Sequence, residues 1–156
     1  MDRHLEDKLY EKFSHLYRER KLPLESSKMG WGFGCEGGWF KIIYEMSKNI
    51  EKISSHGEFA PAVTEISKHE DGTLYVEIRN LTPPVADIIA TSRERSRLTC
   101  ELCSYSPAFC RPPGSFLEGH VACGRCVSKG TRNTKDKRTR PKRRQLRAPD
   151  TIIIKR

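Results

Sequence analysis

Four cysteines fall in two pairs of identical spacing: Cys100-Glu101-Leu102-Cys103 and, twenty residues on, Cys123-Gly124-Arg125-Cys126. Two intervening residues let both thiolates of a pair reach one ion from a tight turn. Two such turns supply the corners of a tetrahedron with metal–sulfur bonds of about 2.3 Å. Soft thiolates favour Zn2+ over magnesium or calcium. Four protein ligands leave no position for a reactive water, so the expected zinc ion is structural and not catalytic. A redox pair, a disulfide pair and an iron–sulfur cluster are the other readings. A thioredoxin-like Cys-x-x-Cys opens a helix after a strand in a βαβ unit, and the sequence pattern gives no such unit. His120 could replace one thiolate. Cys110, in Phe109-Cys110-Arg111-Pro112-Pro113-Gly114, reads as a free or half-buried thiol in the loop between the knuckles. Cys35 reads as a small buried hydrophobe.

A second chemistry lies in the C-terminal charge. The chain of 156 residues carries a formal charge of +9. Twelve Lys and Arg stand against two Asp between Ser128 and Arg156, so that stretch is +10 and the remainder is −1. Lys135, Lys137, Arg138, Arg140, Lys142, Arg143, Arg144 and Arg147 fall within thirteen residues. With no apolar face, such a block is expected to be flexible when alone. Against a phosphate backbone it would release counterions and bind with steep salt dependence. Arginine adds bidentate phosphate contacts. No aromatic residue follows Cys126, so base stacking from this segment is not expected, and its contacts should be independent of sequence. A solvated solubility tail and docking on an acidic protein are the competing readings. Thr151-Ile152-Ile153-Ile154 suits a short strand added to a sheet edge.

The elements that must position these groups follow from periodicity. Leu5, Leu9, Phe13, Leu16 and Tyr17 recur at steps of three and four and predict a helix over 2–20, capped by Asp2 and stopped by Pro23. Residues 26–38 form a glycine-rich loop with Trp31 and Phe33, expected to pack Trp31 and Trp39 beside the next helix. It lacks the Gly-Lys-Ser/Thr of a phosphate-binding loop. Trp39, Ile42, Ile43, Met46, Ile50 and Ile53 mark a second helix over 39–54, ended by His56-Gly57. Strands are expected over 63–66 and 73–78 around an Asp71-Gly72 turn. Thr82-Pro83-Pro84 opens a third helix, with Val85, Ile88, Ile89 and Ser92 inward and Arg93, Arg95 and Arg97 near its end.

The expected fold class is therefore α+β. A small helix-covered β-hairpin body of order α-α-β-β-α spans residues 1–99, a zinc-knuckle segment packed on it spans 100–127, and a basic tail spans 128–156. Residues 100–126 hold few large apolar side chains (Leu102, Tyr105, Phe109, Phe116, Leu117 and Val121), so metal binding should be part of their folding free energy. No run of about 18 apolar residues exists, so no membrane span is expected. Met1 to Arg20 lacks the apolar centre and cleavage site of a secretory signal, and a reducing cytoplasm is expected.

The order Gly34-Cys35-Glu36-Gly37-Gly38-Trp39, an amphipathic helix, a Gly-containing hairpin and Ser96-Arg97-Leu98-Thr99-Cys100-Glu101-Leu102-Cys103 resembles a family of small uncharacterised bacteriophage and prophage proteins. Their pattern places C-G-D-G-W before a helix, then a K-E-K-F-G-G-L-R-F-Y hairpin, then S-x-x-T-C-x-x-C-G closed by C-x-x-H. The resemblance covers roughly residues 10–126. Gly38-Trp39, Lys68, Gly72, Leu74, Ser96, Thr99, Cys100, Cys103 and Cys123 fit the pattern. His69-Glu70-Asp71 departs from the charged-aromatic triplet, Tyr75 stands in place of Arg, and Cys126 in place of the final His. The resemblance implies the fold, a phage-linked origin and hence a host-cell cytoplasm, and no activity.

The functional expectation is a non-enzymatic, zinc-containing accessory protein that contacts nucleic acid, DNA or RNA, or a nucleoprotein complex through its tail, with Arg93, Arg95, Arg97, Lys129 and Arg132 extending the positive surface. The alternative is a module that docks on a host or viral protein through Trp31 and Phe33. A small nuclease is the third reading. It would draw on His120, or on His56 and His69 with Glu65, Glu70 and Asp71, residues that a solvent-facing hairpin also explains.

Overall fold

Helix α1 spans Arg3–Lys12 and buries Leu9 and Tyr10. It ends well short of residue 20, although the apolar spacing continues. The reason lies at Leu16, whose carbonyl accepts the amide of Val63 at 2.9 Å. A carbonyl inside a helix would have been used by the helix itself. The chain instead turns, and Phe13, Leu16 and Tyr17 still reach the core. Tyr17 Oη meets Ser47 Oγ at 2.6 Å, and Arg18 donates to the carbonyls of His15, Ala60 and Pro61. Asp2 makes no side-chain cap.

The computed structural model describes residues 1–54, 57, 59–111 and 117–132. Outside them lie the tail cations from Lys135 to Arg147, the strand expected at Ile152–Ile154, and His56, Phe116 and Pro112-Pro113-Gly114.

Helix α2, Phe40–Ile53, buries Ile42, Ile43, Met46, Ser47 and Ile50 as its 3.6-residue pattern requires, while Ile53 is half exposed at its end. Strand β1, Ala62–Lys68, pairs antiparallel with β2, Leu74–Arg79, from Ala62↔Arg79 to Lys68↔Leu74, with a bulge between Val63 and Glu65. Gly34 adds a parallel bridge to Ser67 on the far edge of β1, its amide donating to Ile66 O at 2.8 Å. On β2, Leu74 is buried while Tyr75 and Glu77 are exposed, the alternation of a sheet with one covered face. The intervening turn closes through His69 N–H to Thr73 O, with Gly72 at φ 79, a left-handed conformation that suits glycine.

Helix α3, Pro83–Leu98, begins with prolines in its first turn. Thr82 precedes it but makes no side-chain cap. It docks on β2 through Ser96, fully buried, whose Oγ accepts the Leu74 amide at 2.9 Å and donates to Arg93 O. Beyond it, β3 (Phe109–Cys110) pairs antiparallel with β4 (Val121–Ala122), and α4 spans Gly124–Arg132. The architecture is α+β. Cys100, Ala108, Val121, Ala122 and Cys123 belong to the same apolar cluster as Leu9, Trp39 and Ile43, so the cysteine segment shares the core of the body.

The arginines of α3 do not form an open cationic face. Arg93 and Arg97 pair with Asp71, Arg97 also with Glu94, and Arg95 with Glu45. Asp71 accepts from the hydroxyl and the amide of Thr73 as well as from Arg93, and these bonds hold its carboxyl well below the ordinary 3.8, against the opposing effect of burial. A depressed folded-state pKa contributes stability above the unfolded value that is lost as pH falls through the folded one. Asp71→Asn is therefore expected to lower stability at pH 6 and to flatten its decline below about pH 4. The cluster is partly solvent-screened, so the effect is on the order of 1 kcal/mol. Denaturation midpoints for the two proteins across pH 2–7 measure it, and superimposable curves would count against the linkage.

Candidate metal centre

The first cysteine pair sits on a turn that the body holds in place. Cys100 N–H donates to Tyr105 O at 2.8 Å and Ser104 N–H to Cys100 O at 2.9 Å, which folds residues 100–105 back on themselves. Ser104 takes φ 64, and its hydroxyl donates to Gly38 O at 2.6 Å. The second pair follows β4: Cys123 ends the strand and Cys126 lies in the first turn of α4. The β3–β4 pairing brings the two turns together.

As a result the ligand atoms of Cys100, Cys103, Cys123 and Cys126 all lie within 4.8 Å of one another, a set that could hold a metal ion. The Sγ atoms of Cys103 and Cys123 are 3.6 Å apart. A disulfide would require about 2.05 Å. The edge of a tetrahedron with 2.3 Å metal–sulfur bonds is about 3.8 Å, so the spacing fits a shared ion. Cys100 and Cys123 are buried, Cys126 is half-buried and Cys103 is exposed.

The acidities of the thiols are those of groups competing for one space. Burial pushes Cys123 up, but the amide of Cys126 and the neighbouring thiols outweigh it and bring Cys123 down to about 7. Cys126 is pushed far up and Cys103 also rises, in each case first by burial. The neighbouring thiols thus lower Cys123 and add to the rise at Cys126. A divalent ion would reverse that rise by binding the thiolates directly.

The remaining candidates fall elsewhere. His120 lies outside the sulfur cluster. Its Nδ1 is 2.9 Å from Glu101 Oε2, so it serves a carboxylate rather than replacing a thiolate. Cys110 also lies outside the cluster, exposed on β3. Cys35 is a buried free thiol, pushed up to about 12 by desolvation. Phe33 corrects the expected aromatic contact: it is 2% exposed, and its ring packs 5.5 Å from those of Tyr10 and Tyr17. Trp31 departs from the expected packing and is 63% exposed, whereas Trp39 is fully buried and donates its Nε1–H to Thr99 O at 2.8 Å.

Glu101 was not singled out by sequence, because the residue between two ligands normally faces water. Here it is 1% exposed. Its Oε1 accepts the Glu36 amide at 3.1 Å, while Oε2 faces His120 and lies 3.6 Å from Lys68 Nζ. A buried carboxylate is tolerable only when so partnered. Its backbone carbonyl also accepts the Gly38 amide at 2.7 Å. The glycine segment 34–39 is thus the seat on which the first knuckle rests, and the only sequence hint was the coincidence of Gly37-Gly38 with Trp39.

No protein-family model, curated protein or solved structure matches the chain.

Proposed function

We propose that this chain is a structural zinc protein without catalytic activity that contacts the phosphate backbone of nucleic acid through Lys135, Lys137, Arg138, Arg140, Lys142, Arg143, Arg144 and Arg147. The observation that carries the reading is the partition of charge: residues 1–127 sum to −1 and residues 128–156 to +10. Folding supports it, since the arginines of α3 are already paired with Asp71, Glu45 and Glu94. The donor set is four sulfurs, which suits zinc, and a filled tetrahedron leaves no coordination position for substrate. The resemblance of residues 10–126 to phage and prophage proteins supports a phage origin and a host cytoplasm as the place of action. No helix among the described residues is long and apolar enough to cross a membrane.

Exposed Trp31 favours a second reading, a protein-docking module, because large exposed indoles are common interface anchors. One titration separates the two. The full chain binding a mixed-sequence oligonucleotide should show log K falling against log salt with a slope steeper than about −4, as expected for six or more phosphate contacts. Ending the chain at residue 132 should reduce that slope to about −2 or shallower, while Trp31→Ala leaves it unchanged. A slope indifferent to the truncation would remove the tail from the contact.

A further inference from the structure

We propose that the folded part of the chain carries its own single-strand site beside the metal centre, with Tyr105 as a stacking platform for an unpaired base and Arg125 and Lys129 as phosphate contacts. This rests on the nucleic-acid reading above and adds to it what the tail cannot supply, since no aromatic residue follows Cys126.

The geometry begins with Tyr105, which is 48% exposed. It is not a loose surface ring: its carbonyl is held by the Cys100 amide, so the first knuckle fixes its position. Arg125, from the second cysteine pair, places its guanidinium 5.4 Å from the centre of the Tyr105 ring. The two knuckles therefore meet outside the sulfur cluster as an aromatic ring beside a cation. Lys129 stands four residues after Arg125 in α4 and shares its face, one turn nearer the tail. Both side chains are exposed, and neither enters an ion pair among the described residues, unlike the arginines of α3. No acidic residue occurs from 119 to 135, so nothing in that stretch opposes an anion.

An exposed ring with one cation over it and a second one turn further along α4 has the chemistry of a single-strand site. Every base offers a face to stack on an aromatic ring, and the backbone is followed by positive charge. A duplex keeps its bases stacked internally and cannot use Tyr105. Charge along this path selects a polyanion, and the ring selects the form of it whose bases are free.

The test uses the zinc-loaded full chain and fluorescently labelled oligonucleotides of one sequence, as single-stranded DNA, single-stranded RNA and duplex. Tyr105→Ala is expected to weaken single-strand binding by about 5- to 100-fold and to leave duplex binding unchanged. Tyr105→Phe, which keeps the ring, should bind as the parent does. Arg125→Ala should reduce the salt slope by about one unit. Zinc content measured on each variant checks that the centre is intact. Equal loss on single strand and duplex, or no loss on either, overturns the platform while leaving the tail reading in place, provided truncation at 132 still reduces the salt slope to about −2 or shallower. A parent chain that binds no oligonucleotide at low salt overturns both.

Discussion

Removing the metal from the reduced protein, or replacing Cys123 with Ser, is expected to unfold residues 99–111 and 117–132 and to release residues 36–39, at a cost above about 4 kcal/mol. The expectation follows from how little else holds the knuckles. β3 and β4 are two residues each, and Leu102, Tyr105 and Phe109 are all exposed. Without a shared ion, the four thiols within 4.8 Å of one another lose the bonds that would tie the first pair to the second. The damage should spread along specific bonds. Thr99 O holds the indole of Trp39, and Glu101 holds the amides of Glu36 and Gly38. Amide exchange should therefore accelerate in 36–39, 99–111 and 117–132, while β1, β2 and α2, tied to the 16–17 turn by Leu16 O and by Tyr17–Ser47, stay protected, and so does the Gly34 amide on Ile66 O. Cys110→Ser is the control. Its sulfur lies outside the cluster, so metal content should be unchanged. Binding should also release protons, because Cys103 and Cys126 are raised and must be deprotonated to ligate, so apparent metal affinity falls with falling pH. A stripped protein whose exchange pattern in 36–39, 99–111 and 117–132 matches that of the loaded one would refute this account.

The parts of this structure that were legible in sequence are those whose cause is local. Helix α2 follows from its apolar period, the hairpin from Asp71-Gly72, the start of α3 from Pro83 and Pro84, and the sulfur cluster from two identical spacings. What was not legible depends on partners brought from a distance. Nothing near Leu16 announces that its carbonyl will serve Val63, so α1 looked longer than it is. Trp31 and Phe33 are equivalent in sequence, two aromatics among glycines. Only the placement of Tyr10 and Tyr17 decides that Phe33 is covered and Trp31 is not. The arginines of α3 read as a basic face until Asp71 and Glu45, distant in sequence, are found beside them. Helix α4 is hidden by its own composition, because Gly124 and Gly130 are poor helix formers. Glu101 is the clearest case: three separate segments, through Glu36, Lys68 and His120, supply what makes a buried carboxylate possible.

Gly38→Ala is expected to destabilise the protein by about 3 kcal/mol and to weaken its metal binding by about tenfold, although residue 38 touches no ligand sulfur. A methyl carbon at this position would lie 2.4 Å from Cys100 O and Glu101 O and 2.5 Å from Glu101 C. All three are backbone atoms of the first knuckle, so no side-chain rotation relieves the clash. Retreat of the knuckle would break the 2.7 Å bond from Gly38 N–H to Glu101 O and the 2.6 Å bond from Ser104 Oγ to Gly38 O. It would also draw the Glu101 carboxylate out of reach of the Glu36 amide and leave a buried charge short of a partner. Gly37→Ala separates this from a general intolerance of side chains in the loop. There the added carbon meets only Leu5 Cδ1 at 3.1 Å, the mobile end of a side chain, and the expected cost is below about 1 kcal/mol. Thermal midpoints and competitive metal titrations on the two variants provide the comparison. If Gly38→Ala behaves like Gly37→Ala in both measurements, the glycine segment is not the seat of the knuckle, and the coupling between Trp39 and the sulfur cluster must be abandoned with it.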